Sequence, residues 1–360
     1  MRPVAEMSPS QIELTDACVR RCSNCTRACG HREPFFMTEE VFTRAVASLV
    51  EYAKQPRALI GFFGGEPLLH PQFVRFCEIA LSLVPRTKLI LSSTFPDGPK
   101  YRGYREVICR TFGSVYLNDH SRNDILHAPI LMAAEDYFKK ACPKCKGSGK
   151  FSPSVPCAEC KGTGQVTDEA ELFAATERCW VSESWSSSIN PKGAWFCEVA
   201  GSLSILFDGP KGWDVDGDWW KKTTKDYTSQ REWACRKCGA ALPIKRERTS
   251  QDYTDDVSVS SMERLQHIRS RKIGKGEVEC KPQFEFDPEL VKSGCYPNQT
   301  YKEFEYREKV AAKYGIVLTM NPLGYPEPHM EEDMPQLRKK AAAPSLFKIF
   351  QEESLQVGCR

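Results

Sequence analysis

Residues 11–25 read QIELTDACVRRCSNC. The run Gln11–Thr15 has the composition of a β-strand, and it ends at Asp16. Directly beyond it, Cys18, Cys22 and Cys25 form C-x3-C-x2-C in what reads as a turn, a spacing that gathers three thiolates around one small volume. A four-iron cluster takes one protein thiolate per iron, so three cysteines leave one iron open to another ligand. With Cys29 as a fourth ligand, the same stretch would instead close a structural zinc site.

Outward from this turn the chain alternates strand-like and helix-like runs as far as Gly113, the pattern of parallel strands joined by crossover helices. Thr38 is placed to cap a helix whose apolar face is Val41, Ala45, Leu49 and Tyr52. Ala58–Phe63 reads as a second strand running into Gly64-Gly65-Glu66-Pro67, and Phe73–Val84 as a helix stopped by Pro85. Lys88–Thr94 and Ser114–Leu117 read as further strands, separated by a helix over Tyr104–Phe112. In the Gly64–Pro67 turn the glycines let backbone approach a ligand closely, and Glu66 can accept from an ammonium. Taken alone, that turn is equally an ordinary tight loop.

A cysteine triplet at one strand end followed by GGEP at the next resembles the radical S-adenosylmethionine (SAM) superfamily. The resemblance implies an α/β fold built on a partial parallel (β/α) barrel. It implies a [4Fe–4S] cluster on Cys18, Cys22 and Cys25 whose open iron is chelated by the amino and carboxylate groups of SAM. Gly64, Gly65, Glu66 and Pro67 would then meet the SAM amino group and Ser92 and Ser93 its ribose or carboxylate, and the resemblance extends to Asn118 and Asp119 at the end of the fourth strand as cofactor contacts. Such an enzyme takes an electron from a reductant such as flavodoxin or ferredoxin, cleaves SAM to a 5′-deoxyadenosyl radical and removes hydrogen from an unactivated C–H bond. One position departs from the pattern: many members carry an aromatic residue just before the third cysteine, where this chain has Asn24.

Seventeen cysteines are too many for disulfides in a reducing compartment, which favours metal or cluster ligation. Cys142, Cys145, Cys157 and Cys160 lie in two copies of C-x2-C-x-G-x-G, which suits tetrahedral zinc and resembles the zinc-binding repeats of DnaJ-type chaperones over about 23 residues. The expected role is to staple an insertion too small for its own core. A positive face from Lys144, Lys146, Lys150 and Lys161 makes a binding platform the alternative. Cys179, Cys197, Cys235 and Cys238 resemble the auxiliary-cluster modules of radical SAM enzymes, the twitch type more than the longer SPASM type. An auxiliary [4Fe–4S] cluster is expected there, with zinc as the competing occupant. Trp180, Trp185, Trp195, Trp213, Trp219 and Trp220 surround this module in sequence and read as core or cover.

The expected organisation is a radical SAM partial barrel over 1–130, a zinc-knuckle insertion over 131–176, an auxiliary-cluster module over 177–250 and an α/β extension over 251–360. In the extension, Lys302–Tyr314 reads as a helix and Gly315–Met320 as a strand, while polar Thr249–Ser261 reads as a loop. The basic runs Lys245–Arg248 and Arg264–Lys275 read as solvated faces. Cys77 and Cys109 read as small buried hydrophobes, Cys280, Cys295 and Cys359 lack ligand spacing, and none of His31, His70, His120 and His127 stands out as an acid or base. A net charge of +3 does not call for a nucleic-acid partner, although nucleic acid is not excluded. With no apolar run long enough for a bilayer and no signal-like start, a cytoplasmic protein without a membrane partner is expected. The substrate class stays open among peptides, sugars and nucleotides or modified bases. The competing interpretation is a non-catalytic, zinc-rich binding protein.

Overall fold

The computed structural model describes residues 1–117, 126–184, 186–245, 247–248, 253–287, 308, 311–322 and 325–334. Asn118, Asp119, His120, Trp185, Cys295, Cys359 and most of the helix expected over Lys302–Tyr314 lie outside these residues.

The N-terminal alternation folds as its pattern predicts: β1 (Ser10–Thr15), α1 (Glu39–Ser48), β2 (Ile60–Gly64), α2 (Phe73–Leu83), β3 (Leu89–Ser93), α3 (Arg105–Thr111) and β4 (Ser114–Leu117). The Thr38 side chain caps α1 by accepting from the Val41 N–H. Strands β1 to β4 pair in parallel, in chain order. Every residue of β1 and β3 is buried, as expected of a parallel sheet covered on both faces. Over β2, Phe42 of α1 stacks on Phe76 of α2 at 4.1 Å, and the Phe62 ring meets Phe42 at 5.3 Å and Phe112 at 5.0 Å. Each such ring pair adds about 0.5–1.5 kcal/mol to the gain from burial alone.

Two more strands complete the sheet. β5 (Ser188–Asn190) lies parallel to β1 on its free side, with Gln11 opposite Ser188, and β6 (Gly193–Trp195) returns antiparallel to it. The sheet runs β6-β5-β1-β2-β3-β4 and is open: a mixed α/β fold with a parallel-strand sheet. Residues 188–195, in the cysteine- and tryptophan-rich segment, thus add to the same sheet as residues 10–117. Trp195 and Trp219 are fully buried in the common core, as the sequence suggested for the tryptophans as a group.

The insertion is a neck formed by the antiparallel strands Lys139–Ala141 and Gln165–Thr167, capped by a small hairpin of Lys150–Ser152 with Val155–Pro156. Part of the stretch expected to be a loop forms regular structure instead: β7 (Asp255–Val257) pairs in parallel with β8 (Val278–Cys280), and α4 spans Val259–His267. Its buried polar residues pair with distant parts of the chain, Asp255 with His31 and Lys272 and Ser258 with Ala133, so their burial leaves no apolar periodicity in the sequence. Ile316–Met320 is a strand, as predicted. Among the described residues, no helix is long and apolar enough to cross a membrane.

Candidate functional site

The cysteine loop and the Gly64–Pro67 turn leave adjacent strands at the same end of the sheet, and backbone bonds join them. Gly65 N–H donates to Thr15 O at 2.7 Å, and Glu66 N–H donates to Ala17 O at 2.7 Å. A Cβ added at Gly64 would lie 2.1 Å from Thr15 O, and one at Gly65 would lie 2.3 Å from Ala17 O. The glycines therefore admit the chain's own backbone, the segment leading into Cys18, where the sequence alone suggested a close approach to ligand.

Glu66 is fully buried. Its Oε1 accepts from Leu68 N–H at 3.0 Å and from the Ser93 hydroxyl at 2.8 Å, and its Oε2 accepts from Thr94 N–H at 2.7 Å. Burial raises its pKa, against the pull of these donors. Ser93 thus acts on Glu66 directly, and Ser92 is buried beside it at the end of β3.

Cys18, Cys22 and Cys25 are half-buried and close enough to interact electrostatically. Burial pushes the Cys18 thiol up to about 12 and raises Cys22 as well. Cys25 moves the other way, to about 6, because a hydrogen bond from the Cys29 thiol outweighs the effect of burial. Cys29 therefore touches a member of the triplet.

The loop is braced from several sides. Buried Asn24, in left-handed backbone conformation, donates its N–H to Asp255 Oδ1 at 2.6 Å and accepts from Asp256 N–H at 3.0 Å. Asp255 Oδ2 also pairs with His31 Nε2 at 2.8 Å and Lys272 Nζ at 2.6 Å, and His31 Nδ1 meets Ser270 Oγ at 2.7 Å. His31 is therefore committed to a buried network, and Lys272, in the run expected to be solvated, is 3% exposed. His127 Nδ1 contacts Ser23 O at 3.1 Å, while His70 Nε2 bonds Met37 O at 2.9 Å. Cys77 is fully buried in α2, as expected.

Arg27 belongs to the same loop and was not singled out from sequence. Its Nη1 donates to Glu13 Oε1 at 2.8 Å and to Glu198 O at 3.1 Å, and its Nη2 lies 2.8 Å from Glu198 Oε1. Its ring-face contact is with Phe63, at 4.9 Å. The three charged side chains are 3–5% exposed. An Arg two residues past the third cysteine and a Glu directly after Cys197 were visible in the sequence, but 171 residues separate them.

Cys179, Cys197, Cys235 and Cys238 line one apolar cavity together with Val181, Phe196 and Val199. Burial pushes Cys197 up to about 12 and raises Cys235 and Cys238 well above the usual thiol range. Ala240 N–H points at the Cys238 sulfur at 3.4 Å.

In the insertion, Cys142 and Cys157 sulfurs are 3.9 Å apart, and those of Cys145 and Cys160 are 3.6 Å apart. Zinc with four thiolates places its sulfurs about 3.8 Å apart. The halves mirror each other: Cys142 N–H donates to Gly164 O at 2.8 Å and Cys157 N–H to Gly149 O at 2.9 Å. Gly149 and Gly164 hold positive φ, and a Cβ on either would strike the opposite half's backbone at 2.3 Å. Among the described residues, only these four bring three or more ligand atoms within 4.8 Å of one another.

Residues 12–152 match the radical SAM superfamily. Among solved structures it is similar to BtrN in complex with AdoMet and 2-DOIA, at 15% identity and a TM-score of 0.38, over 68% of this chain and 96% of that one. It is also similar to SeMet BtrN in an open conformation, at 14% identity and a TM-score of 0.34, over 64% and 86%. No curated protein matches the chain.

Proposed function

We propose that this protein is a radical SAM enzyme with a [4Fe–4S] cluster on Cys18, Cys22 and Cys25, an auxiliary [4Fe–4S] cluster on Cys179, Cys197, Cys235 and Cys238, and a structural zinc on Cys142, Cys145, Cys157 and Cys160. The observation that carries the reading is the backbone pairing of the Gly64–Glu66 turn with Thr15–Ala17, which sets a buried carboxylate within electrostatic reach of the Cys18 thiol. Sulfur spacing supports the division of metals. The knuckle sulfurs stand at zinc distances, whereas the other two sets are more widely spread, as ligands to separate irons must be.

The cluster with SAM bound supplies reductive cleavage to methionine and a 5′-deoxyadenosyl radical, which takes hydrogen from a substrate C–H bond. The chain's own part is positional. Glu66, fixed by Leu68, Ser93 and Thr94, presents an oriented acceptor to the SAM ammonium, and Pro67 directs the chain away from it. Flavodoxin or ferredoxin is the proposed reductant, and the cytoplasm the proposed compartment.

Anaerobic reconstitution followed by metal analysis tests the assignment. The reading predicts about eight irons and one zinc per chain. Zinc alone at all three sites would leave a metal-stapled binding protein in its place.

A further inference from the structure

Arg27 stands between the two proposed cluster sites. It belongs to the loop that carries Cys25, pairs with the side chain of the residue that follows Cys197, and lies over Phe63, directly before Gly64. A buried guanidinium shared by two carboxylates is costly to assemble, so stability alone is a weak account of it. Burial works against its charge, but Glu198 and Glu13 outweigh that and keep it ionised. Both Cys25 and Cys197 fall within its electrostatic reach.

We propose that Arg27, gripped by Glu13 and Glu198, is a positioning residue that couples the two clusters electrostatically, so that the reduction potential of each depends on this one shared charge. The inference rests on the two-cluster reading. Charge and hydrogen bonding around a cluster set its potential, and in a buried site one cation acts over a longer range than it would in water. Removing the cation disfavours an added electron at both sites. Removing the Glu198 charge favours it at both.

The test is a potentiometric titration of the anaerobically reconstituted holoprotein, followed by electron paramagnetic resonance, with iron and zinc counted on the same samples. Arg27→Gln is expected to move both midpoint potentials downward, Glu198→Gln to move both upward, and Arg27→Lys to return both toward the wild-type values. The cross-effects decide: the auxiliary site must respond to Arg27, and the N-terminal site to Glu198. Should Arg27→Gln fail to fold with two unpaired carboxylates, Glu198→Gln and Arg27→Lys carry the test by themselves. Two intact clusters of which only the nearer one responds, or neither, would overturn the coupling and leave the two-cluster reading standing. Zinc in place of iron at Cys179, Cys197, Cys235 and Cys238 would overturn both.

Discussion

The Asp255 carboxylate holds the Lys272 ammonium at 2.6 Å, with both side chains almost fully buried. Asp255 also accepts from the Asn24 N–H, one residue before Cys25, so this ion pair secures the cysteine loop to β7. Removing one partner of a buried pair costs about 3–5 kcal/mol, because the other is left charged in a poor solvent. Asp255→Ala is therefore expected to lower stability to urea by roughly that amount and to lower iron retention at the N-terminal site. Asp255→Ala with Lys272→Met should recover much of the stability.

Glu13 gives stability a pH dependence of opposite sign to that of most carboxylates. Burial, opposed by Arg27, raises it from 4.5 to about 7. Between those values the folded protein holds a proton that the unfolded chain has lost, so stability falls as pH rises through the window. The contribution is on the order of 3 kcal/mol, present in full below about pH 4.5 and gone above about pH 7. Urea unfolding of wild type and Glu13→Gln at pH 5.5 and 7.5 checks this; the variant should show the shallower loss.

Gly65→Ala places a methyl group 2.3 Å from Ala17 O, where only backbone can yield. The segment entering Cys18 must shift although no cysteine changes. Iron analysis after reconstitution is expected to show loss of up to about four irons per chain. Zinc at the knuckles should be unchanged.

For the insertion, Cys145→Ser should remove one zinc per chain and open residues 142–164 to protease. This segment has no apolar core of its own beyond the four cysteines and Val166. Its metal-binding energy is its folding energy. The main unfolding transition should move little, because the six-stranded sheet lies in a separate core.

Much of this was legible in the sequence. The strands β1 to β4 and the helices between them announce themselves by alternation, and the three cysteine sets by spacing. What escaped did so for physical reasons. β5 and β6 are three residues each, too short for a period to emerge. Asp255 and Lys272 looked solvent-exposed because a buried charge is hidden in sequence when its partner lies 17 residues away. Gly64 and Gly65 signalled a close approach, and only the fold identified Thr15 and Ala17 as what they approach. Arg27 had no motif to mark it.

In the proposed enzyme three sulfurs near the N-terminus leave an iron free for SAM. Incubating the reconstituted protein with dithionite and SAM, and measuring 5′-deoxyadenosine by mass-resolved chromatography, tests it most directly. Wild type is expected to yield 5′-deoxyadenosine and Cys22→Ala none. A wild-type protein with a full iron complement that yields none, or a Cys22→Ala variant that yields as much as wild type, would contradict it.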